Sequence, residues 1–429
     1  MNGTIAAALM TLSVGADRLD GLYKTGEAIV FTVQAANAPS NAPFGYTLTF
    51  DSGRSNGTVR SGTVQAGGTV EATGTEPGFF SILVRGQGLS ARAAAGVSPL
   101  EIRFSAPRPA DFKAYWAAHL AKLAAVPMNP RLTALDEPTA ADYTNWSRQW
   151  PFFGDFPYRF DRIALFEAEA DALGEPARGY LALPLGAAPK SLPAVLFTHG
   201  AGIGDSDKLK PCAAARLGFL AMDINAHGLP MGRPPEFYKQ AAEAAQEAFG
   251  GYFKKGRLNK DDLYLAEMIL RHRRALDLLC SRPEWDGRIL IVRGASQGGL
   301  LALACAGVDP RVTAICAGVP ACCDNAGDST LTRFFTARND DPKTVEKVRA
   351  AVPYASVGHF GPEARAEAYF TVAFLDSSCH PAGVYAAYNA YAGPKRIFNG
   401  PVADHGTIPR SIHYDDCTRF MLEHAAPKR

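Results

Sequence analysis

Over the first hundred residues apolar and polar positions alternate in short runs, the period-2 signature of half-buried strands. Segments 26–35 (GEAIVFTVQA), 45–50 (GYTLTF), 57–66 (GTVRSGTVQA) and 79–86 (FFSILVRG) are rich in β-branched or aromatic residues, and Gly, Asn, Asp and Pro clusters separate them. Asn56-Gly57 and Gly67-Gly68 carry the residue types of hairpin turns. Strands spaced by about ten residues predict an all-β sandwich of immunoglobulin-like type for residues 1–104.

The texture changes at 105–112 (SAPRPADF), where two prolines precede a helical pattern that puts Phe112, Trp116, Leu120 and Leu123 on one face. From there strand-like and helical runs alternate. Strands are expected within 158–168 and 179–185, at 194–200 (AVLFTHG) and at 218–225 (GFLAMDIN), with a helix near 210–217 between the last two. A long helical region, 236–279, is interrupted by Gly250-Gly251. Then come strand 288–294 (RILIVRG), helix 296–307, strands 312–319 and 368–376 (AYFTVAFLD), helix 383–391, strand 395–400 (KRIFNG) and a terminal helix over 411–424. This order predicts an α/β unit over 105–429: a mostly parallel sheet covered on both faces, with ligands beyond the carboxyl ends of its strands.

Composition narrows the function. A chain of 429 residues is too long for one ordinary domain, which agrees with the change of texture. Its 44 Lys+Arg against 42 Asp+Glu leave a net charge of +2 without long basic runs, so nucleic acid and anionic membrane surfaces are not expected partners. No apolar stretch approaches the roughly 20 residues needed to span a bilayer. All eight cysteines lie from Cys212 onward, poor usage for a disulfide scaffold, and Cys280, Cys305 and Cys316 sit in apolar contexts that suit buried thiols. Without a CxxC pair or an HExxH helix no metal site is expected; Cys322-Cys323 and Cys379-His380 are the metal-like groupings. Segment 5–14 (IAAALMTLSV) has the length of a signal-peptide apolar region, but no basic residue precedes it, and a first strand fits equally well. The reading favours a secreted or periplasmic protein, with the cytoplasm as the alternative.

Gly294-Ala295-Ser296-Gln297-Gly298 is a GxSxG string between an apolar strand and an Ala/Leu-rich helix. A sharp strand-to-helix turn that pushes a serine Oγ outward needs small neighbours, and Gly294 and Gly298 supply them. A plain Gly-rich helix start capped by Ser296 is the bland alternative. A nucleophilic serine needs a base, and the base needs an orienting acid, in the chain order Ser, Asp or Glu, His. After Ser296 the histidines are His359, His380, His405 and His413; His405, in a loop after the strand 395–400, is the candidate base. Asp376, ending the strand 368–376, is the candidate acid, ahead of Asp324 and of Asp404, which reads as a turn residue. The oxyanion requires preorganised N–H donors; Gln297, after the nucleophile, and Ala201, in the loop His199-Gly200-Ala201-Gly202 after an earlier strand, are the candidates. His199 reads as a loop organiser, and His227 as a loop residue within reach of substrate.

The run 276–324 (from LDLLCSRPEWDGRILIVRGASQGG to VPACCD), together with RPADF-x-x-Y-W, THG, VAFLDSSCHPAGVYAAYNAY and DHGTIP, resembles the acetyl xylan esterase and cephalosporin C deacetylase family, carbohydrate esterase family 7 of the α/β-hydrolases. The resemblance covers about residues 106–425 and leaves the N-terminal sandwich outside. It implies Ser296 as nucleophile, Asp376 as acid, His405 as base, Ala201 and Gln297 as oxyanion donors, an acetylated carbohydrate as substrate, and no cofactor. Members often carry tyrosine after the HG pair and an RGQ motif; this chain has Ala201 and Asn225-Ala226-His227-Gly228, so its acyl pocket has a different wall. Members form doughnut-shaped hexamers, which leaves a homo-oligomer open here.

Two other readings compete: a serine peptidase of the prolyl-oligopeptidase kind, for whose propeller 105 residues are too few, and a polysaccharide-binding protein with an inactive hydrolase unit. Aromatic residues in 145–160 suit either sugar stacking or core packing, and 233–256 suits either a lid or an interface.

Overall fold

The structure, a computed structural model, describes residues 9–39, 41–149, 156–409 and 411–426. Residues 5–8 of the apolar segment 5–14 and positions 150–155 of the aromatic run lie outside the described residues, as do the side chains of 146–149 and of His413.

Eight strands build the N-terminal part: β1 (Thr11–Ala16), β2 (Leu22–Tyr23), β3 (Ala28–Ala36), β4 (Pro43–Asp51), β5 (Asn56–Gln65), β6 (Thr69–Thr73), β7 (Gly78–Gly86) and β8 (Leu89–Val97). They form a three-stranded sheet, β1-β3-β6, and a five-stranded sheet, β2-β8-β7-β4-β5. Alternation in β3 sends Ile29, Phe31 and Val33 inward, where they meet Phe44, Leu48, Phe80, Ile82 and Val84 of the facing sheet in one apolar core. β8 differs. Ala93 and Ala95 face that core while Ala94, like Phe79 on β7, belongs to the core of the rest of the chain. Its burial on two sides explains a strand made mostly of alanine and glycine, which residue preference alone does not announce.

Both turn expectations need correction. Asn56 and Gly57 lie inside β5, paired with Asp51 and Phe50. The reversal falls at 52–55, where Asp51 Oδ1 accepts the Gly53 N–H at 2.7 Å and Gly53 takes a φ of +82°; an aspartate-anchored glycine thus sets the register in place of the Asn-Gly pair. Gly67-Gly68 does turn the chain, with Gly67 at φ +80°, but it joins β5 to β6 in the other sheet.

The remaining strands, β9 (Arg131–Leu135), β10 (Ile163–Ala170), β11 (Ala177–Pro184), β12 (Leu192–Phe197), β13 (Leu220–Ile224), β14 (Trp285–Ala295), β15 (Ala314–Gly318), β16 (Glu367–Ala373) and β17 (Lys395–Gly400), form one sheet. Its order is β17-β16-β15-β14-β12-β13-β11-β10-β9. The pairings from β13 through β12, β14, β15 and β16 to β17 are parallel; β11, β10 and β9 extend the sheet in antiparallel fashion. Side chains alternate between two covered faces. Leu196, Leu290, Val292, Ile315 and Phe370 meet the helices Tyr264–Ser281, Gln297–Val308 and Pro381–Ala390, whereas Val195, Ile291, Ala314, Cys316 and Tyr369 meet Leu209–Arg216 and Cys417–Ala425. The expected mostly parallel, doubly covered sheet is therefore present. No helix of the described residues is long and apolar enough to cross a membrane. All eight cysteines are free thiols, seven of them buried.

Candidate active site

Four loops converge at the carboxyl ends of β12, β14, β16 and β17. Ser296 follows β14 at φ +59°, ψ −122°, a conformation that costs a non-glycine residue roughly 1–3 kcal/mol and persists only where its surroundings enforce it. Here they do. Ser296 N–H donates to Gly318 O at 2.8 Å, and its carbonyl accepts from Ala321 N at 3.0 Å and Leu300 N at 3.0 Å. The glycines are sterically required: a Cβ on Gly294 would stand 1.9 Å from Thr198 Oγ1, and one on Gly298 2.8 Å from Thr198 O. Thr198 occupies that space, donating from Oγ1 to Gly298 O at 2.7 Å.

His405 lies in the loop after β17, with Nε2 3.1 Å from Ser296 Oγ and Nδ1 2.7 Å from Asp376 Oδ2. Asp376 sits three residues past the end of β16 and is buried. Its other oxygen accepts the N–H groups of Ser378 (2.7 Å) and Cys379 (2.8 Å), so a tight turn fixes the carboxylate. The hydrogen bond to Asp376 raises the His405 pKa above the ordinary histidine value, against an opposing effect of burial. Serine, histidine and aspartate, far apart in the chain, thus form one hydrogen-bonded chain.

The other candidates have different partners. Asp404 closes its own turn, accepting from Gly406 N and Thr407 Oγ1. Asp324 is buried and accepts from Ser105 N (2.8 Å) and Oγ (2.6 Å), anchoring the linker. His359 is buried against Phe104 and Phe112, with Nδ1 on Pro353 O. His380 pairs with Asp51. His199 joins its loop to Gly200 O and Asp205 O, as an organiser would. His227 is buried behind the same loop, with Nδ1 on Tyr264 Oη (2.7 Å) and Nε2 on Gly202 O (3.1 Å); burial lowers its pKa to about 4.

Gln297 opens the helix Gln297–Val308, where the first backbone N–H groups have no intrahelical acceptor. Its side chain is fully buried and reaches back, Nε2 donating to Gly200 O at 3.2 Å. Ala201 is exposed at the crest of that loop. A residue the sequence reading did not single out, Tyr252, ties the two together: it follows Gly250-Gly251 at the end of the supposed lid, donates to Gln297 Oε1 and accepts from Gly202 N. Only its closeness to that glycine pair marks it in the sequence.

A cavity of about 760 Å³ opens here, lined among the described residues by Ser296, His405, His199 and Gly200 together with Lys210, Arg293 and Tyr414. Asp376, Cys379 and His405 also bring a carboxylate oxygen, a thiol sulfur and a ring nitrogen within 4.8 Å of one another, donor types that suit a divalent transition metal.

The solved acetyl xylan esterase from Paenibacillus sp. R4 superposes with a TM-score of 0.62 at 24% identity, covering 76% of this chain and 98% of its own. That of Thermoanaerobacterium sp. JW/SL YS485 gives 0.59 at 21%, with the same coverage. These likenesses establish the α/β-hydrolase fold. The acetyl esterase Axe7A of Xylanibacter ruminicola is 29% identical over 399 residues, 90% of this chain and 85% of that protein. The acetyl xylan esterase (AXE1) family model matches residues 169–424, more than half of the chain and the whole stretch that carries Ser296, Asp376 and His405. On that match the chain belongs to the acetyl xylan esterase family, a family of carboxylic ester hydrolases acting on carbohydrate.

Proposed function

We propose that this protein removes acetyl groups from acetylated xylan or xylo-oligosaccharides through an acyl-enzyme on Ser296. The observation that carries the reading is the chain Asp376–His405–Ser296, at 2.7 and 3.1 Å, on a strained strand-to-helix turn. His405 takes the Ser296 proton as Oγ attacks the acetyl carbonyl, and Asp376 holds the imidazole in the tautomer whose Nε2 accepts. The N–H groups of Gln297 and Ala201 receive the negative charge on the carbonyl oxygen. His405 returns the proton to the departing sugar hydroxyl, then activates the water that releases acetate and regenerates Ser296. Alanine in place of a larger side chain at position 201 leaves the backbone donor in place and widens the acyl end of the site.

Residues 1–104 form an accessory domain of immunoglobulin-like sandwich type in this proposal, and 105–429 the hydrolase. The division is supported by the separate apolar core of the two N-terminal sheets and by the solved esterases, which leave about a quarter of the chain uncovered, the share that 1–104 makes up. A polymeric substrate that cannot cross a membrane favours a site of action outside the cytoplasm.

Acetate release from acetylated xylan, beside p-nitrophenyl acetate turnover, tests the reading. Ser296→Ala is expected to lower kcat by at least about a thousandfold on both. A variant that keeps wild-type turnover removes the acyl-enzyme mechanism, and an enzyme that cleaves the small ester but not the polymer removes xylan.

A further inference from the structure

We propose that the N-terminal sandwich is a working part of the catalytic centre, because its β4–β5 turn and the outer face of β7 and β8 clamp the two loops that carry Asp376 and His405. The inference rests on the Ser296–His405–Asp376 reading and adds the unit that holds its loops.

The contacts begin at Asp51, the last residue of β4. Its Oδ2 lies 3.1 Å from His380 Nδ1 and accepts from Ser329 Oγ at 3.2 Å, while Oδ1 holds Gly53 N. Asn56, across the turn, donates to Ser329 Oγ at 2.9 Å. Asp51 and Ser329 are 278 residues apart in the chain, and Asp51 is buried by this junction. His380 follows directly on Cys379, whose N–H binds the Asp376 carboxylate, and precedes the helix Pro381–Ala390. A displacement of His380 is therefore passed through one peptide unit to the group that orients the acid.

The other end of the same loop is held too. Phe79 of β7 packs edge-on against Phe374, two residues before Asp376, with ring centroids 5.0 Å apart. Phe374 N–H donates to Gly400 O and Leu375 N–H to Ala403 O, so the acid loop is laced to the loop that presents His405. Gly21, before β2, closes over that lacing: at φ +62° it presents no side chain, and a Cβ there would come within 3.1 Å of Pro401 Cβ and 3.4 Å of Phe374 Cε2. The sandwich thus touches the chain on both sides of the acid, at Phe374 and His380, and reaches the base's loop at Pro401. Such contacts matter because a misplacement of about 1 Å far from the chemistry can lower a rate about a hundredfold. Asp51 and His380 are accordingly positioning residues; neither touches the reacting atoms.

The test uses the full chain and p-nitrophenyl acetate. Asp51→Ala is expected to lower kcat by about ten- to a hundredfold with KM within about twofold. It also moves the acidic limb of kcat/KM to lower pH, since a looser Asp376 contact releases the imidazolium that it stabilises. The other charged groups acting on His405, Arg333 and Asp404, are left in place. His380→Gln removes the pair from the hydrolase side, should reproduce both changes, and carries the test if Asp51→Ala does not fold. Val33→Ala, deep in the sandwich core, should lower Tm while kcat and the acidic limb stay put. Wild-type kcat and an unmoved limb in the soluble pair variants overturn the clamp, as does a Val33→Ala variant that matches them in both readouts. Ser296→Ala, run alongside, separates the two ideas: if it stays active the triad itself is wrong, whereas an inactive Ser296→Ala beside wild-type pair variants removes only the clamp.

Discussion

The Tyr252 hydroxyl stands between Gln297 Oε1, to which it donates at 2.7 Å, and the Gly202 N–H, from which it accepts at 3.0 Å. One side chain thereby ties the Ser296 turn to the loop opposite it, the two segments that carry the proposed oxyanion donors. Tyr252→Phe keeps the ring and removes the link, leaving a buried amide oxygen without that donor, a loss of about 1–3 kcal/mol. The expected result is a fall in kcat of about tenfold with little change in KM for p-nitrophenyl acetate, because an oxyanion contact is made chiefly in the transition state. Steady-state kinetics beside thermal unfolding decide it; unchanged kcat with lowered Tm would assign Tyr252 to stability alone.

In the proposed mechanism His405 must be neutral to accept the Ser296 proton, and Asp376 raises its pKa. Activity should therefore fall as pH drops through a value above the usual histidine range of about 6.5. Asp376→Asn keeps the shape, removes the charge and should shift that limb downward while lowering kcat by about three to four orders of magnitude. A pH profile of kcat/KM for both proteins checks the sign. A limb that stays in place in the variant would mean that another group titrates there.

Gly294 admits no side chain, since a Cβ would lie 1.9 Å from Thr198 Oγ1 and 2.7 Å from Gly298 O. Gly294→Ala must displace either Thr198 or the helix start, and overpacking of this kind costs about 1–3 kcal/mol. Because the displaced atoms hold Ser296, activity should fall much further than stability does. Gly287→Ala, on the same strand, meets nothing within 4 Å but has a φ of +73°, so it should lower stability and leave turnover near normal. Equal activity in the two variants would contradict the steric account.

What the sequence made legible has a physical pattern. Apolar runs such as AVLFT and RILIV report burial on both faces of a parallel strand, and in the structure they are β12 and β14 at the centre of the sheet. Ser296, Asp376 and His405 stood out because each follows such a run, and the sheet then brings them into hydrogen-bond contact. β8 was not legible, because Ala and Gly carry little strand preference and its burial comes from two different cores. Asn56-Gly57 misled because Asp51 and Gly53 compete for the same turn and win through a side-chain hydrogen bond. Tyr252 lies 45 residues before Gln297, and Asp51 lies 278 before Ser329; contacts at such separation leave no local periodicity.

His227 predicts acid sensitivity of the fold. It is buried, its ring bridges Tyr264 Oη and Gly202 O, and burial holds its pKa near 4, whereas in the unfolded chain it titrates near 6.5. Between those values the unfolded state binds a proton that the folded state does not, so stability must fall as pH drops from about 6.5 toward 4. The shift corresponds to a loss of about 3 kcal/mol over that window. His272, buried with its pKa lowered to about 3, adds in the same direction. His405 acts the other way but outside the window: its raised folded pKa gives stability that is complete below about 6.5 and is lost only as pH rises through the folded value. The slope below 6.5 therefore reports the buried neutral histidines together with the acidic groups. His227→Gln retains an N–H for Gly202 O and cannot titrate, so its urea midpoint should change less between pH 7 and pH 5 than that of the natural protein. Parallel decline in the two proteins would show that His227 takes up its proton without unfolding the chain.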